Sequence, residues 1–131
     1  MDRHDIPALL KDLPELVIRQ GLSEEDAFKA MRMLGRFNGG YLGMVRFSGE
    51  TPWERHEDEE LLYLLEGAVD VTILHSDGSR EETSLTAGTL CTVPKGLWHR
   101  QLAKPSAAVL FITGETSHST AEDPRLDEEM G

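Results

Sequence analysis

The chain of 131 residues carries 13 basic and 24 acidic side chains, a formal net charge of −11, and 39% of its residues are hydrophobic. This length and apolar content predict one globular domain, and the acidic surplus argues against nucleic acid or anionic lipid as partners, because both require a basic surface. No apolar run is long enough to span a membrane, no signal-peptide stretch is present, and one cysteine allows no internal disulfide, which together indicate a cytoplasmic protein.

Residues 1–37 are predicted to form an N-terminal arm of helical or irregular structure. A short helical turn and a short strand over 16–18 are expected first. Ser23 then precedes three acidic residues, which is typical of a helix N-cap followed by an acidic first turn. Apolar residues follow at helical spacing from Ala27, and Gly35 is the expected end of this helix.

From residue 38 onward the hydrophobic period changes to two, the period of β-strands. Glycines separate the apolar segments every eight to eleven residues, which is typical of a sandwich or barrel. The expected strands are 41–47, 61–65, 69–73, 83–86, 89–93 and 107–113, with a hairpin turn at 76–79. We therefore predict an all-β domain over 38–114, followed by an acidic tail over 115–131 in which His118 is solvated.

A dense acidic block lies in the middle of the predicted β domain. Residues 54–66 hold six carboxylates and one basic side chain, beside the apolar run 61–65. Glu54 and His56 are two residues apart, so they project from the same face of an extended strand, and Glu60 can return to that face. Imidazole and carboxylate groups are ligands for divalent metals, and the charge of a metal ion would compensate the repulsion among these carboxylates. The alternative is that the carboxylates are solvated at the surface.

A second segment, from Pro94 to His99, is a turn that could direct one histidine into a barrel. Gln101 lies two residues further along the same strand face, so its amide could hydrogen-bond a ligand. Arg46 stands within an apolar strand. It either points inward as an anchor for an anion or lies on the outer surface.

These two segments resemble the two signatures of the cupin superfamily. The first signature has two histidines two residues apart, a glutamate shortly after, and a glycine seven residues beyond it; His56, Glu60 and Gly67 match its last three positions. The second signature is matched at Gly88, Pro94, Gly96 and His99. The resemblance covers 39–114 and implies a double-stranded antiparallel β-barrel, the cupin jelly roll, after an N-terminal helical arm. It also implies one divalent metal ion, which could be Fe, Mn, Zn or Ni.

Two positions depart from these signatures, since Glu54 replaces the usual first histidine and Ala103 the usual asparagine. With Glu54 bound, two imidazoles and two carboxylates would hold the ion, a set that favours Mn²⁺ or Fe²⁺ and tolerates Zn²⁺. If Glu54 turns to solvent, His56, Glu60 and His99 remain as the triad of non-haem iron oxygenases. A degenerate site without metal is the third alternative.

The resemblance implies no single activity. We expect a metal-dependent enzyme that acts on a small organic substrate through dioxygenase-, isomerase- or lyase-type chemistry, with His99, Gln101 and Arg46 as its catalytic residues. A non-catalytic module that binds a small ligand or a metal is the alternative, and a metal-independent isomerase with His99 as base is a third. The apolar side chains of the arm exceed what a small barrel can bury, so we also expect a homodimer.

Overall fold

A computed structural model describes residues 1–126, which contain two short helices, nine strands and a helical turn at 124–126. The elements in chain order are α1 (Ile6–Lys11), β1 (Glu15–Val17), α2 (Glu24–Ala30), β2 (Arg32–Phe37), β3 (Gly40–Glu50), β4 (Trp53–His56), β5 (Glu60–Leu74), β6 (Arg80–Thr86), β7 (Leu90–Val93), β8 (His99–Thr113) and β9 (Thr116–Ser119). Within residues 1–126, no helix has the length and apolar character needed to cross a membrane.

Strand β8 organises the sheet, because it pairs antiparallel with β3, β4 and β5. The first part of β5 pairs with β7 and its second part with β6. Strands β1 and β2 both join β3, β1 in parallel and β2 antiparallel, while β9 joins β4. The sheet does not close on itself, but this arrangement confirms the predicted all-β jelly roll.

Strand β5 bends at Gly67, where its pairing with β8 shifts register on either side. Gly67 has a φ of 80°, which lies in the left-handed region that L side chains avoid. A Cβ placed on Gly67 would also overlap the backbone carbonyl oxygen of Ser106. Glycine is therefore required at this bend, which lets one strand serve both β7 and β6.

The interior of the jelly roll is filled with apolar side chains that alternate along the strands. The main cluster of buried residues consists of Leu16, Phe47, Leu62, Leu64, Val69, Val71, Ile73, Leu85, Val93, Ala103, Ala107, Val109 and Phe111. Full burial of one such large side chain contributes about 1.5–3 kcal/mol to stability. A charged group buried in such surroundings is costly unless it is paired, which makes the buried polar residues His56, Glu60, Thr72, His99 and Gln101 conspicuous.

One prediction about the N-terminal arm is wrong, and the C-terminal segment holds a strand that was not predicted. Helix α2 ends at Ala30 instead of Gly35, because the next residues form β2 and pair with β3. The spacing of the apolar residues after Ala30 is compatible with a helix or a strand, and hydrogen bonding to β3 stabilises the strand. The expected acidic tail contains one strand, since residues 116–119 form β9. The last five residues of that tail, 127–131, lie outside the described residues.

Candidate metal centre

Four side chains bring possible metal-binding atoms within 4.8 Å of one another: Glu54, His56, Glu60 and His99. His56, Glu60 and His99 are buried, with exposed fractions of 4%, 4% and 1%. The side chain of Glu54 is 22% exposed and lies at the edge of the group. The structure thus brings together all four residues that the sequence predicted as metal ligands.

Three strands place these side chains. Glu54 and His56 are two residues apart on β4 and therefore share its inner face. The acidic residues 57–59 form an exposed turn, after which β5 begins at Glu60. His99 is the first residue of β8 and lies opposite Glu54 in the ladder between β4 and β8.

Glu60 joins the two histidines. Its Oε1 lies 3.0 Å from His99 Nε2, and its Oε2 lies 3.1 Å from His56 Nε2. Burial by itself raises the pKa of Glu60, but the close contacts with His56 and His99 and their positive charge outweigh burial and lower that pKa to about 2. Burial lowers the pKa of His99, but its hydrogen bond to Glu60 and the charges of Glu60 and Glu54 raise it overall. Glu60 is consequently an ionised carboxylate shared by two imidazoles.

The Nδ1 atom of each histidine, which points away from the group, lies close to an oxygen atom. His99 Nδ1 lies 3.3 Å from the carbonyl oxygen of Leu97, which can only accept a hydrogen bond. His99 Nδ1 therefore carries hydrogen. His56 Nδ1 lies 2.9 Å from Thr116 Oγ1. In both rings the outer nitrogen is thus engaged by the protein, and Nε2 faces the group, the arrangement expected of metal-ligating histidines.

The donor atoms fit a divalent cation. His56 Nε2 is buried and, apart from its 3.1 Å ionic contact with Glu60 Oε2, has no hydrogen-bond partner within residues 1–126. Such an orphaned nitrogen is costly unless something else occupies the space that it faces. Imidazole nitrogens with carboxylate oxygens suit Fe²⁺, Mn²⁺, Zn²⁺ or Ni²⁺.

Glu54 lies between two histidines. One carboxylate oxygen is 3.7 Å from His56 Nε2, and the other is 3.7 Å from His118 Nε2. His118 Nδ1 in turn lies 3.1 Å from a carboxylate oxygen of Glu24 on α2. The hydrogen bond to Glu54 raises the pKa of His118, burial opposes this, and the charges of Glu54 and Glu24 add to the rise.

Sequence reasoning missed Thr116, because residues 115–131 carry no clear strand period. It expected His118 to be solvated; the residue is exposed, at 37%, and it also contacts Glu54 and Glu24. The run Thr116–Ser119 consists of three hydroxyl-bearing residues and one histidine. That pattern is too weak to predict a strand, and pairing with β4 is what makes it one.

Of the other two predicted catalytic residues, Gln101 lies near the group and Arg46 does not. Gln101 is buried on β8, two residues from His99, and its Oε1 has no partner in the described part of the chain. Arg46 alternates on β3 with Phe47, which belongs to the core, so it points away from the interior. Its guanidinium donates to the carbonyl oxygens of Leu10 and Leu13 and pairs with Glu66 at 2.7 Å. The interpretation of Arg46 as an inward anion anchor is therefore corrected to the outer-surface alternative.

Two cavities in the described chain are lined by other residues. One, of about 200 Å³, lies near α1 and α2 and is lined by residues such as Leu9 and Met31. The other, of about 240 Å³, is lined by Asp58, Glu59 and Gly114, among others. Neither cavity is lined by the four clustered residues, so the chemistry of the side chains and not the cavity volume identifies the site.

Without metal, this cluster is expected to stabilise the fold most between pH 4.5 and 6.5. Because the pKa of Glu60 is lowered, its contribution is complete above the ordinary value of 4.5 and is lost as pH falls toward about 2. Because the pKa of His99 is raised, its contribution is complete below the ordinary value of 6.5 and is lost as pH rises through the raised pKa. Melting temperatures measured across pH with a chelator present check this. Glu60→Gln should flatten both flanks, and a profile identical to wild type in that variant would contradict it.

Comparison with known proteins supports the fold. A family model described as a cupin domain matches residues 43–113, just over half of the chain. No curated protein sequence matches the chain. Among solved structures, a cupin-2 domain protein from Shewanella frigidimarina NCIMB 400 is 24% identical with a TM-score of 0.55, over 72% of this chain and 95% of that one.

Two enzymes also share the fold. Hydroquinone 1,2-dioxygenase from Sphingomonas sp. TTNP3, solved with 4-hydroxybenzoate bound, is 19% identical with a TM-score of 0.56, over 65% of this chain and 66% of that one. A second hydroquinone 1,2-dioxygenase, in complex with Cd²⁺ and 4-hydroxybenzonitrile, is 21% identical with a TM-score of 0.55, over 63% of this chain and 62% of that one. At these identities the matches show a common fold, and this chain spans less than two thirds of both dioxygenase chains.

Proposed function

Because this chain belongs to the cupin domain family, we propose that it binds one divalent metal and acts as a metal-dependent enzyme on a small organic substrate. The observation that carries this function is the buried group of His56, Glu60 and His99, in which the inward nitrogen of His56 has no partner in the described chain. A buried group of this composition is expected to hold a cation.

In this function His56, Glu60 and His99 are the ligands, and Glu54 is the fourth. A divalent ion held in this way keeps positions open for a substrate oxygen and supplies Lewis acidity or, if it is iron, a site for oxygen activation. Two carboxylates with two neutral imidazoles cancel the charge of a divalent cation, which weakens the attraction for an anionic substrate. We therefore favour a neutral substrate. His99, as a ligand, is not free to act as a base.

Gln101 is the residue that would orient the substrate. Its buried Oε1 is an acceptor without a partner among residues 1–126, and an O–H or N–H group of a ligand would satisfy it. The two dioxygenases with this fold were solved with hydroxylated benzene rings bound. Dihydroxybenzenes therefore come first among the compounds to test, followed by aliphatic diols, thiols and keto acids.

The test begins with protein purified without chelator, in which elemental analysis should find close to one divalent ion per chain. Oxygen consumption and product formation are then measured with Fe²⁺, Mn²⁺, Zn²⁺ or Ni²⁺ supplied. Turnover of one compound, reduced in Gln101→Leu at unchanged metal content, is the expected result. Stoichiometric metal with no turnover across the panel would overturn the enzymatic function.

A separate observation favours a second candidate function, a module that binds a metal or small ligand without turnover. Neither of the two cavities described is lined by any of the four clustered residues, and the core of the jelly roll is filled with apolar side chains. Retained metal without turnover is the outcome that distinguishes this candidate. The homodimer also remains a prediction, supported by the exposed side chains of Val17, Phe28 and Phe37 in the N-terminal region.

A further inference from the structure

We propose that β9 is part of the metal centre and that Thr116 is a positioning residue, whose hydroxyl keeps the hydrogen of His56 on Nδ1 and leaves Nε2 as the metal ligand. This role rests on the proposed metal binding. It concerns a strand that lies beyond residue 113, where the match to the cupin domain ends.

The contact is built into the sheet. Strand β9 pairs antiparallel with β4, and the register places Thr116 directly opposite His56 and His118 opposite Glu54. Side chains at directly opposite positions of an antiparallel pair lie on the same face, with Cβ atoms about 4.5–5.5 Å apart. Both candidate ligands on β4 thus have a cross-strand neighbour on β9, at 2.9 Å for His56 and 3.7 Å for Glu54.

The direction of the hydrogen bond follows from the other partner of Thr116. Its Oγ1 lies 3.3 Å from the carbonyl oxygen of Gly114, which can only accept. With the hydroxyl hydrogen donated to Gly114, the lone pairs of Oγ1 are free to accept the N–H of His56. Whenever the ring carries a single hydrogen, that hydrogen therefore belongs on Nδ1, and the lone pair on Nε2 faces Glu60 and His99.

The same strand is anchored close to this contact. The backbone N–H of Glu57 donates to the carbonyl oxygen of Glu115 at 3.2 Å. The hydroxyl of Tyr41 donates to the carboxylate of Glu115, also at 3.2 Å. These two bonds fix Glu115, the residue next to Thr116. The Thr116 hydroxyl is therefore held in position although Thr116 is exposed.

Without this acceptor, a buried His56 would gain more from carrying its hydrogen on Nε2, toward the Glu60 carboxylate 3.1 Å away. That hydrogen would block the nitrogen that has to bind the metal. Thr116→Val replaces the hydroxyl with a methyl group of similar size, which also keeps water from taking its place. Thr116→Ser keeps the hydroxyl and should keep the function.

The first measurement is the affinity for Zn²⁺, by calorimetry with competing chelator. Thr116→Val should bind Zn²⁺ about 10–100-fold more weakly than wild type, the usual cost of removing a hydrogen-bond partner of a ligating histidine. Thr116→Ser should bind within a few-fold of wild type. Ser117→Ala, on the same strand but with its exposed side chain on the opposite face, is the matched control and should bind like wild type.

The second measurement uses metal-free protein and long-range ¹H–¹⁵N spectra, which report the nitrogen that carries hydrogen in each imidazole. His56 should carry it on Nδ1 in wild type and Thr116→Ser, with the Nε2 form increased in Thr116→Val. Equal Zn²⁺ affinity together with an unchanged His56 spectrum in Thr116→Val would overturn the role of Thr116. Absence of Zn²⁺ binding in wild type would instead overturn the proposed metal function, and the spectra would still decide the contact.

Discussion

Glu60→Gln is expected to abolish metal binding while leaving the jelly roll folded. Glu60 is the anionic ligand that lies within 3.1 Å of both buried histidines, and the amide has the same shape without the charge. Loss of this charge should weaken metal binding by more than about 10–100-fold, the cost of removing a hydrogen-bond partner of a metal ligand. A ligand present at about 100 times its Kd stabilises a protein by about 2.7 kcal/mol, so the increase in melting temperature on adding metal should disappear.

The matched control is Glu59→Gln, which removes the same charge from the preceding, exposed residue. This variant should keep stoichiometric metal and the full thermal shift, because residues 57–59 form a solvated turn. Elemental analysis and thermal unfolding with and without Zn²⁺ check both variants. Equal metal content in Glu60→Gln and wild type would contradict the site, whereas equal losses in both variants would point to nonspecific binding by the acidic turn.

Gly67→Ala is expected to be the most destabilising single-methyl substitution among the glycines of the sheet. The left-handed φ of 80° at Gly67 costs about 1–2 kcal/mol for an L residue. The added methyl also meets the backbone oxygen of Ser106, which a rotamer change cannot relieve, and overpacking of this kind costs about 1–3 kcal/mol. The free energy of unfolding should therefore fall by about 2–5 kcal/mol, measured by urea unfolding.

Gly78→Ala separates the two costs. Gly78 has a φ of 94° in the hairpin turn between β5 and β6, and a Cβ there would meet nothing within 4 Å. This variant should lose only the about 1–2 kcal/mol of left-handed strain, partly offset because alanine restricts the unfolded chain. Equal destabilisation by both substitutions would show that contact with Ser106 contributes nothing at Gly67.

The metal ligands could be predicted because they depend on local geometry. Alternation along one strand puts Glu54 and His56 on the same face, and the spacing to Glu60 leaves room for a turn that brings it back. The position of His99 came from the resemblance of its turn to a known signature. Each of the two segments could be interpreted from its own neighbouring residues. The structure brings the four side chains together as expected.

Arg46 shows where local reasoning left two answers. Its place within an apolar strand suits either face, and the structure assigns it to the outside, where carbonyl oxygens of Leu10 and Leu13 accept its hydrogen bonds. The end of α2 is a similar case, since the apolar residues after Ala30 suit helix or strand. In both cases the pairing of β3 with its neighbours selects one of the two structures. That pairing joins distant parts of the chain, so a short stretch of sequence does not reveal it.

By itself, the sequence determined the all-β class and the four residues able to hold a cation, because period, ligand chemistry and the spacing within a signature are properties of nearby residues. Only the tertiary structure showed that β9 pairs with β4 and that Thr116 contacts His56. The two residues are 60 positions apart in the chain. Strand pairing over such a distance is chosen by competition among all the edges of the sheet, so the residue that orients a metal ligand can lie in a segment that has no pattern of its own.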